Sequence, residues 1–259
     1  NGHVVLGVFF LTDAATPKIY TLSLHDALPI AGESLPIDWP VAGTTGYDFL
    51  NRVGGLQIVA AAEPLLTEFY GAFTGEPTDY AAVVRERKRA ALRHLLAAEV
   101  NRLSLLWQTL AANHWRCRDF NVEEMRAAIV EVIANFPVYR TYVRAESQTV
   151  SEADGAHIAH AVAAARQQRP EIDPDVFEFL GLLLRRRFRG PREDEFVMRF
   201  QQLSGPAMAK GVEDTTFYCY NRFVVLNEVG GDPGRFGLSS EAFHRACAEI
   251  GRASCRERV

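Results

Sequence analysis

The 259-residue chain lacks any apolar run long enough to cross a bilayer. Its longest, such as Val4 to Leu11, fall well short of the roughly 20 residues that a membrane helix needs. Cysteine is scarce and unpaired in pattern: Cys117, Cys219, Cys247 and Cys255 form no CxxC, and no histidine stands at zinc-site spacing from them. No leader with a small-residue cleavage site is visible. These absences predict a protein of the reducing cytoplasm, with neither a membrane anchor nor a disulfide framework. Excess charge is also small, a net of −4, which argues against a general nucleic-acid binder. What is there is globular in composition, 48% hydrophobic and 23% charged, with length for one large domain or two modest ones.

The two ends read as non-native. "YTLSLHDALPI", Tyr20 to Ile30, can be encoded by a short DNA whose reverse complement, read in a shifted frame, gives "IGRASCRERV", Ile250 to Val259. That DNA resembles a sequencing-library adapter. Residues 1–30 and 250–259 are therefore expected to be adapter-derived tails and are set aside, together with the superficial His25-Asp26 dyad and the Cys255 thiol.

Between the tails the pattern is helical. Residues 31–57 are rich in Pro and Gly without a sustained period, which predicts an ordered loop ending in a short helix or turn. After Pro64, Leu65, Leu66, Phe69, Tyr70 and Phe73 fall on one helical face. Three- and four-residue spacing from Val84 to Leu110 predicts one long amphipathic helix over 79–113. Asn121, Ser151, Asp173 and Ser239 are placed to cap further helices, and Phe196, Phe200 and Leu203 mark another. "VYRTYV", Val138 to Val143, reads as a short extended strand. The basic runs Arg85 to Arg93 and Arg185 to Arg189 read as solvated helix faces rather than phosphate sites. His157 and His160 have no third ligand, so no metal is expected.

One stretch differs in kind. "MAKGVEDTTFYCYN", Met208 to Asn221, gathers an ammonium, carboxylates, aromatic rings and an amide. Sugars present hydroxyls to polar groups and C–H faces to flat rings, so such a mixture suits carbohydrate. A helix through it would put Glu213, Phe217 and Tyr220 on one face, with Asp214, Tyr218 and Asn221 beside it. The same residues also fit an alternative in which Phe217, Phe223 and Leu226 are core and the charges are solvated or paired with Arg222.

"LPIDWPVAGTTGYDFLNRV" (Leu35 to Val53), "FPVYRTYV" (Phe136 to Val143), "FQQLSGPAMAKGVEDTTFYCYNR" (Phe200 to Arg222) and "LNEVGGDPGRFG" (Leu226 to Gly237) resemble the maltooligosyl trehalose synthases, members of the α-amylase family of glycoside hydrolases. The resemblance implies intramolecular transglycosylation: the reducing-end α-1,4 bond of a maltooligosaccharide becomes an α,α-1,1 bond. It implies a (β/α)₈ barrel carrying an Asp nucleophile, a Glu acid/base and a second Asp, none of which falls in this chain. The chain is thus expected to be mainly α as a fragment, a helical insertion (61–190) between an active-site loop region (31–60) and a return to the catalytic barrel (191–249). It is expected to be inactive and only marginally stable alone.

By the same resemblance Trp39, Thr44, Thr45, Tyr47, Asp48, Lys210, Glu213, Asp214, Tyr218, Tyr220 and Asn221 lie near bound oligosaccharide. No cofactor, metal, nucleic acid or membrane is implied, and a trehalose-releasing hydrolase is the implied functional partner. Cys219 stands where the family commonly has Arg, Gly54 where Asn is usual and Gln57 where a large apolar residue is usual. The competing reading is a freestanding helical module that binds a protein partner in a groove between helices.

Overall fold

The computed structural model describes residues 46–146 and 149–256. Among them the protein is mainly α, with ten α-helices, two π-helical stretches and no strand. It divides into two compact units: one has Leu92–Ala207 as its described part, and the other has residues 46–91 and 208–256.

The first unit contains α4 (Ala97–Ala111), α5 (Val122–Ala134), α6 (Glu152–Gln168), α7 (Pro174–Leu184) and most of α8 (Pro191–Met208). Helices apolar on every side belong in the middle of a bundle. In α7, Val176, Phe177, Phe179, Leu180, Leu183 and Leu184 are all buried, and in α5 so is every residue from Ala128 to Ala134. α5 accordingly packs against α4, α6 and α7. Trp107 of α4 fills the centre, its ring 6.0 Å from Phe196 and 6.4 Å from Phe179. Burial of a large apolar side chain of this kind is worth about 1.5–3 kcal/mol.

The caps form as the sequence leads one to expect. Asn121 accepts from the Glu123 amide at 2.8 Å, Ser151 from Asp154 at 3.0 Å, Asp173 from Asp175 at 2.9 Å and Ser239 from Ala242 at 3.2 Å. Each satisfies an N–H that the first helical turn leaves orphaned.

Four sequence expectations need correction. The long helix over 79–113 is two: α3 (Tyr80–Ala90) runs into a π-helical stretch, Ala91–Leu95, and Leu96 leaves helical geometry at φ −113°, ψ 21° before α4 begins. Apolar spacing persists through the break, so periodicity could not show it.

The strand expected at Val138–Val143 does not form. The segment is irregular, bent at Val138 and Tyr139, and largely buried, and its partner is a side chain: Gln201 Nε2 donates to the Val143 carbonyl at 3.0 Å while Gln201 Oε1 accepts from the Val143 amide at 2.8 Å. The Tyr142 amide donates to Asp154 Oδ1 at 3.1 Å. These bonds meet the backbone's polar demand without a neighbouring strand.

The basic runs are not wholly solvated. Lys88 and Arg186 are buried. Arg186 follows α7 in the left-handed region at φ 52°, and its guanidinium donates from Nε to Asp194 Oδ1 at 2.8 Å and to the carbonyls of Arg144 (3.0 Å) and Ala145 (2.7 Å).

Finally, the apolar face of α2 (Glu63–Thr74) splits. Tyr70 is buried, whereas Leu65, Phe69 and Phe73 are exposed, the last two rings stacked at 5.6 Å.

The second unit joins α1 (Tyr47–Leu56), α2 and α3 to a second π-helical stretch, Ala209–Thr216, then to α9 (Phe217–Cys219), an irregular segment to residue 238, and α10 (Ser240–Arg256). α3 lies directly on the π-helical stretch, and Gly211 is what permits the approach. A Cβ at Gly211 would stand 2.6 Å from Lys88 Cγ and 2.7 Å from Lys88 Cα.

Candidate functional site

The mixed segment begins in π-helical geometry. Thr215 and Thr216 hydroxyls each donate back five residues, to the carbonyls of Lys210 and Gly211, both at 2.7 Å, so side chains reinforce the widened turn. Short π segments recur at functional sites. The wider turn also sets which side chains face solvent. Lys210, Asp214, Tyr218 and Asn221 are exposed, Tyr218 to 79%. Lys210 Nζ pairs with Asp214 Oδ2 at 2.6 Å, and Asn221 Nδ2 reaches the Tyr218 carbonyl at 3.4 Å. Four groups of the kinds that meet sugar therefore occupy the open side of one short segment.

The remaining two members of that segment turn inward. Glu213 Oε1 accepts from the Gly230 amide at 3.1 Å. Tyr220 is 1% exposed, its hydroxyl donates to the Thr78 carbonyl at 2.9 Å, and its ring lies 5.2 Å from both Tyr70 and Tyr80. Burial raises the Tyr220 and Tyr80 hydroxyl pKa values above the ordinary phenol range, and the negative charge of Asp232 adds to the effect at Tyr80. Both phenols remain neutral, and that of Tyr220 remains a donor. Tyr220 thus backs the segment from behind, with Tyr218 in front.

Of the sequence-predicted residues near the amino end, Trp39, Thr44 and Thr45 lie outside the described residues. Tyr47 and Asp48 begin α1. Tyr47 is 37% exposed, and Asp48 pairs with Arg52 at 3.4 Å, an ordinary one-turn spacing. α1 is tied to the same loop as Glu213: Asn51 Nδ2 donates to the Val229 carbonyl at 2.9 Å, and Val229 is the neighbour of Gly230. The loop receives a further bond where the Leu238 amide donates to the Gly55 carbonyl at 2.9 Å.

The supporting residues are those that sequence reasoning missed. Arg222, only 6% exposed in its side chain, donates to Glu63 Oε1 at 3.0 Å, Thr67 Oγ1 at 2.9 Å and the Pro233 carbonyl at 2.5 Å. Its guanidinium also lies over the Phe236 ring at 5.1 Å. Asn227 Nδ2 caps the end of α9 by donating to the Phe217 and Tyr220 carbonyls at 2.8 and 2.7 Å. Sequence reasoning offered Arg222 as a partner for the charges of the mixed segment, whereas its carboxylate partner is Glu63. The partners lie far off in sequence.

Beneath the π-helical stretch, burial lowers the Lys88 pKa to about 7. Among the described residues no group of three His, Cys, Asp or Glu side chains could hold a metal ion. No helix among them is long and apolar enough to cross a membrane.

No family model matches the chain. A Mycobacterium tuberculosis protein whose assigned name is that of a maltooligosyl trehalose synthase is 31% identical over 221 residues, covering 85% of this chain and 26% of the relative. Among solved structures, maltooligosyltrehalose synthase from Arthrobacter ramosus superposes with a TM-score of 0.73 at 33% identity, covering 88% of this chain and 27% of that one. A hypothetical maltooligosyl trehalose synthase of Sulfolobus tokodaii gives a TM-score of 0.56 at 27% identity over 84% of this chain and 25% of that one. By sequence and by backbone alike the chain is related to the maltooligosyl trehalose synthases, and it spans 26% of the length of the curated relatives it matches.

Proposed function

We propose that the chain supplies one wall of a glucan site in an α-amylase-type enzyme that rearranges the reducing-end α-1,4 bond of a maltooligosaccharide to an α,α-1,1 bond. The observation that carries this is the exposed row Lys210, Asp214, Tyr218 and Asn221, backed by a buried tyrosine cluster, in a chain related to proteins named for that product. The Tyr218 ring offers a face to sugar C–H groups. Lys210 donates to hydroxyls, while Asp214 and the Asn221 amide oxygen accept from them. Glu213 holds the loop at Gly230. Trp39, Thr44, Thr45, Tyr47 and Asp48 are further glucan contacts by resemblance to the family, while Tyr220 supports the Tyr218 row from behind.

The bond-breaking chemistry belongs to carboxylates elsewhere in a longer protein. Acid assistance to the leaving oxygen and capture of the glycosyl group need a pair of carboxyl groups flanking the scissile bond. Rearrangement without hydrolysis needs water kept from the intermediate, and that is a task for a complete pocket on a barrel. The reaction needs no redox cofactor, and its product suits a cytoplasmic hydrolase that releases trehalose.

Calorimetric titration of the 259-residue chain with maltopentaose tests the site, and an assay of reducing ends tests the chemistry. Binding that Tyr218→Ala weakens, with reducing ends unchanged over time, is the expected result. A non-reducing product formed by this chain unaided would overturn the placement of the chemistry. Absence of any glucan binding would overturn the site.

A second reading has one observation behind it. α6 and α7 border an open groove of about 720 Å³ whose lining includes Ile158, Val162, Phe177 and Leu182 together with Arg166 and Arg185. Such a groove suits an amphipathic helix of a protein partner. Tight capture of a helical peptide by the chain, without glucan affinity, would favour that reading.

A further inference from the structure

A ring held open to solvent beside groups that bond hydroxyls occurs a second time in the described chain, in the turn-rich connection between α4 and α5. There Trp115 is 78% exposed, and Asn113, Arg116, Arg118 and Asp119 are exposed around it. The Arg116 guanidinium lies 5.0 Å from the centre of the indole, occupying one face and leaving the other open. Asn113 uses only its Nδ2, on the Thr109 carbonyl at 3.2 Å, so its amide oxygen is free. Arg118 and Asp119 form a loose, fully surfaced pair at 3.7 Å, which solvent or a ligand hydroxyl opens at little cost.

The connection is not a slack loop. His114 is clasped between Phe179 and Phe188, with ring centroids at 5.0 and 4.5 Å, and Cys117 is buried. Successive turns are closed by backbone bonds from His114 to the Ala111 carbonyl (2.8 Å), from Cys117 and Arg118 to that of His114 (2.8 and 3.0 Å), and from Phe120 to that of Cys117 (3.2 Å). Residues 114 and 117 anchor the turn from below and hold 113, 115, 116, 118 and 119 outward. A pre-fixed aromatic face loses little conformational entropy when it takes a ligand.

We propose that residues 113–119 form a second α-glucan contact, distinct from the Tyr218 row, in which a glucose ring stacks on the open face of Trp115. Asn113, Arg116, Arg118 and Asp119 meet its hydroxyls. The proposal rests on the glucan reading above.

Affinity electrophoresis of the 259-residue chain in gels containing soluble starch, with maltoheptaose titrations followed by tryptophan emission, tests it. Trp107, 0% exposed, reports the fold in each variant. Trp115→Ala is expected to weaken starch retention about five- to tenfold, as loss of one stacking contact should, and Trp115→Tyr to restore most of it. Tyr218→Ala should leave the Trp115 contribution in place. Starch retention unchanged by Trp115→Ala but lost with Tyr218→Ala would overturn this second contact and leave the first. No retention of the unaltered chain would overturn both. Preference of Trp115 for oligothymidylate over maltoheptaose would overturn it in favour of a stacked nucleic-acid base.

Discussion

Arg186 is the residue whose replacement the structure predicts most sharply. It occupies a left-handed backbone position at φ 52°, where any side chain with a Cβ costs roughly 1–2 kcal/mol. Its side chain is 6% exposed, and besides the two carbonyls it holds Asp194, itself 24% exposed, at 2.6 Å. Arg186→Ala keeps the backbone strain and removes every one of those bonds. Stranding a buried partner costs about 3–5 kcal/mol, but Asp194 regains some water and sits in the first turn of α8, so about 3 kcal/mol is the fitting expectation. With a urea slope of about 2 kcal/mol/M, the midpoint should fall by roughly 1.5 M. Arg186→Gly loses the same bonds but relieves the strain, and should be about 1 kcal/mol more stable than the alanine variant. Urea unfolding followed by far-ultraviolet dichroism measures both. An alanine variant within 1 kcal/mol of the parent, or a glycine variant below the alanine one, would refute the reasoning.

Gln201→Leu should cost about 2–4 kcal/mol in the same assay, because it leaves both backbone groups of Val143 buried without partners. Gly211→Ala should be destabilising by about 1–3 kcal/mol, since the new methyl meets backbone atoms of Lys88 that cannot swing aside. The Lys88 ammonium has a folded pKa of about 7 against an unfolded value near 10.5, so the unfolded chain binds more protons between those limits. Stability should therefore rise with pH from about 7 to about 10 and lie flat below 7 as far as this group is concerned; a parent whose stability rises over that window no more steeply than that of Lys88→Met would contradict it. Tyr220→Phe should lose about 1 kcal/mol of stability with maltopentaose affinity nearly intact, while Tyr218→Ala should do the reverse, as titration and thermal melts on the same samples will show.

What the sequence made legible is what is decided locally. Asn121, Ser151, Asp173 and Ser239 cap helices through bonds to residues two or three positions on, so the residue type and its place before an apolar run suffice. The interruption at Leu96 is invisible because Leu92, Leu95 and Leu96 keep to a helical spacing across it. Val138–Val143 has the composition of a strand, and what it lacks is a neighbouring strand; that the neighbour is the amide of Gln201, 58 positions away, follows from packing alone. In the mixed segment, residue types pointed toward sugar, and the helical reading grouped Asp214, Tyr218 and Asn221 rightly on one side. The supports beneath them were not legible. Arg222 reaches back to Glu63, Thr67 and forward to Pro233, and no periodic pattern encodes such a junction.

The widened turn over Ala209–Thr216 leaves the protein sensitive to length as well as to composition at that point. Each residue of an α-helix advances the side-chain direction by about 100°, and each residue of this wider turn by somewhat less, so excising one residue there would swing everything downstream by most of a quarter turn. The ring that now looks outward at position 218 and the one that anchors inward at 220 would lose their stations together. A lineage that kept Gly211 and the two threonine hydroxyls would still lose the platform by shortening the stretch by a single codon.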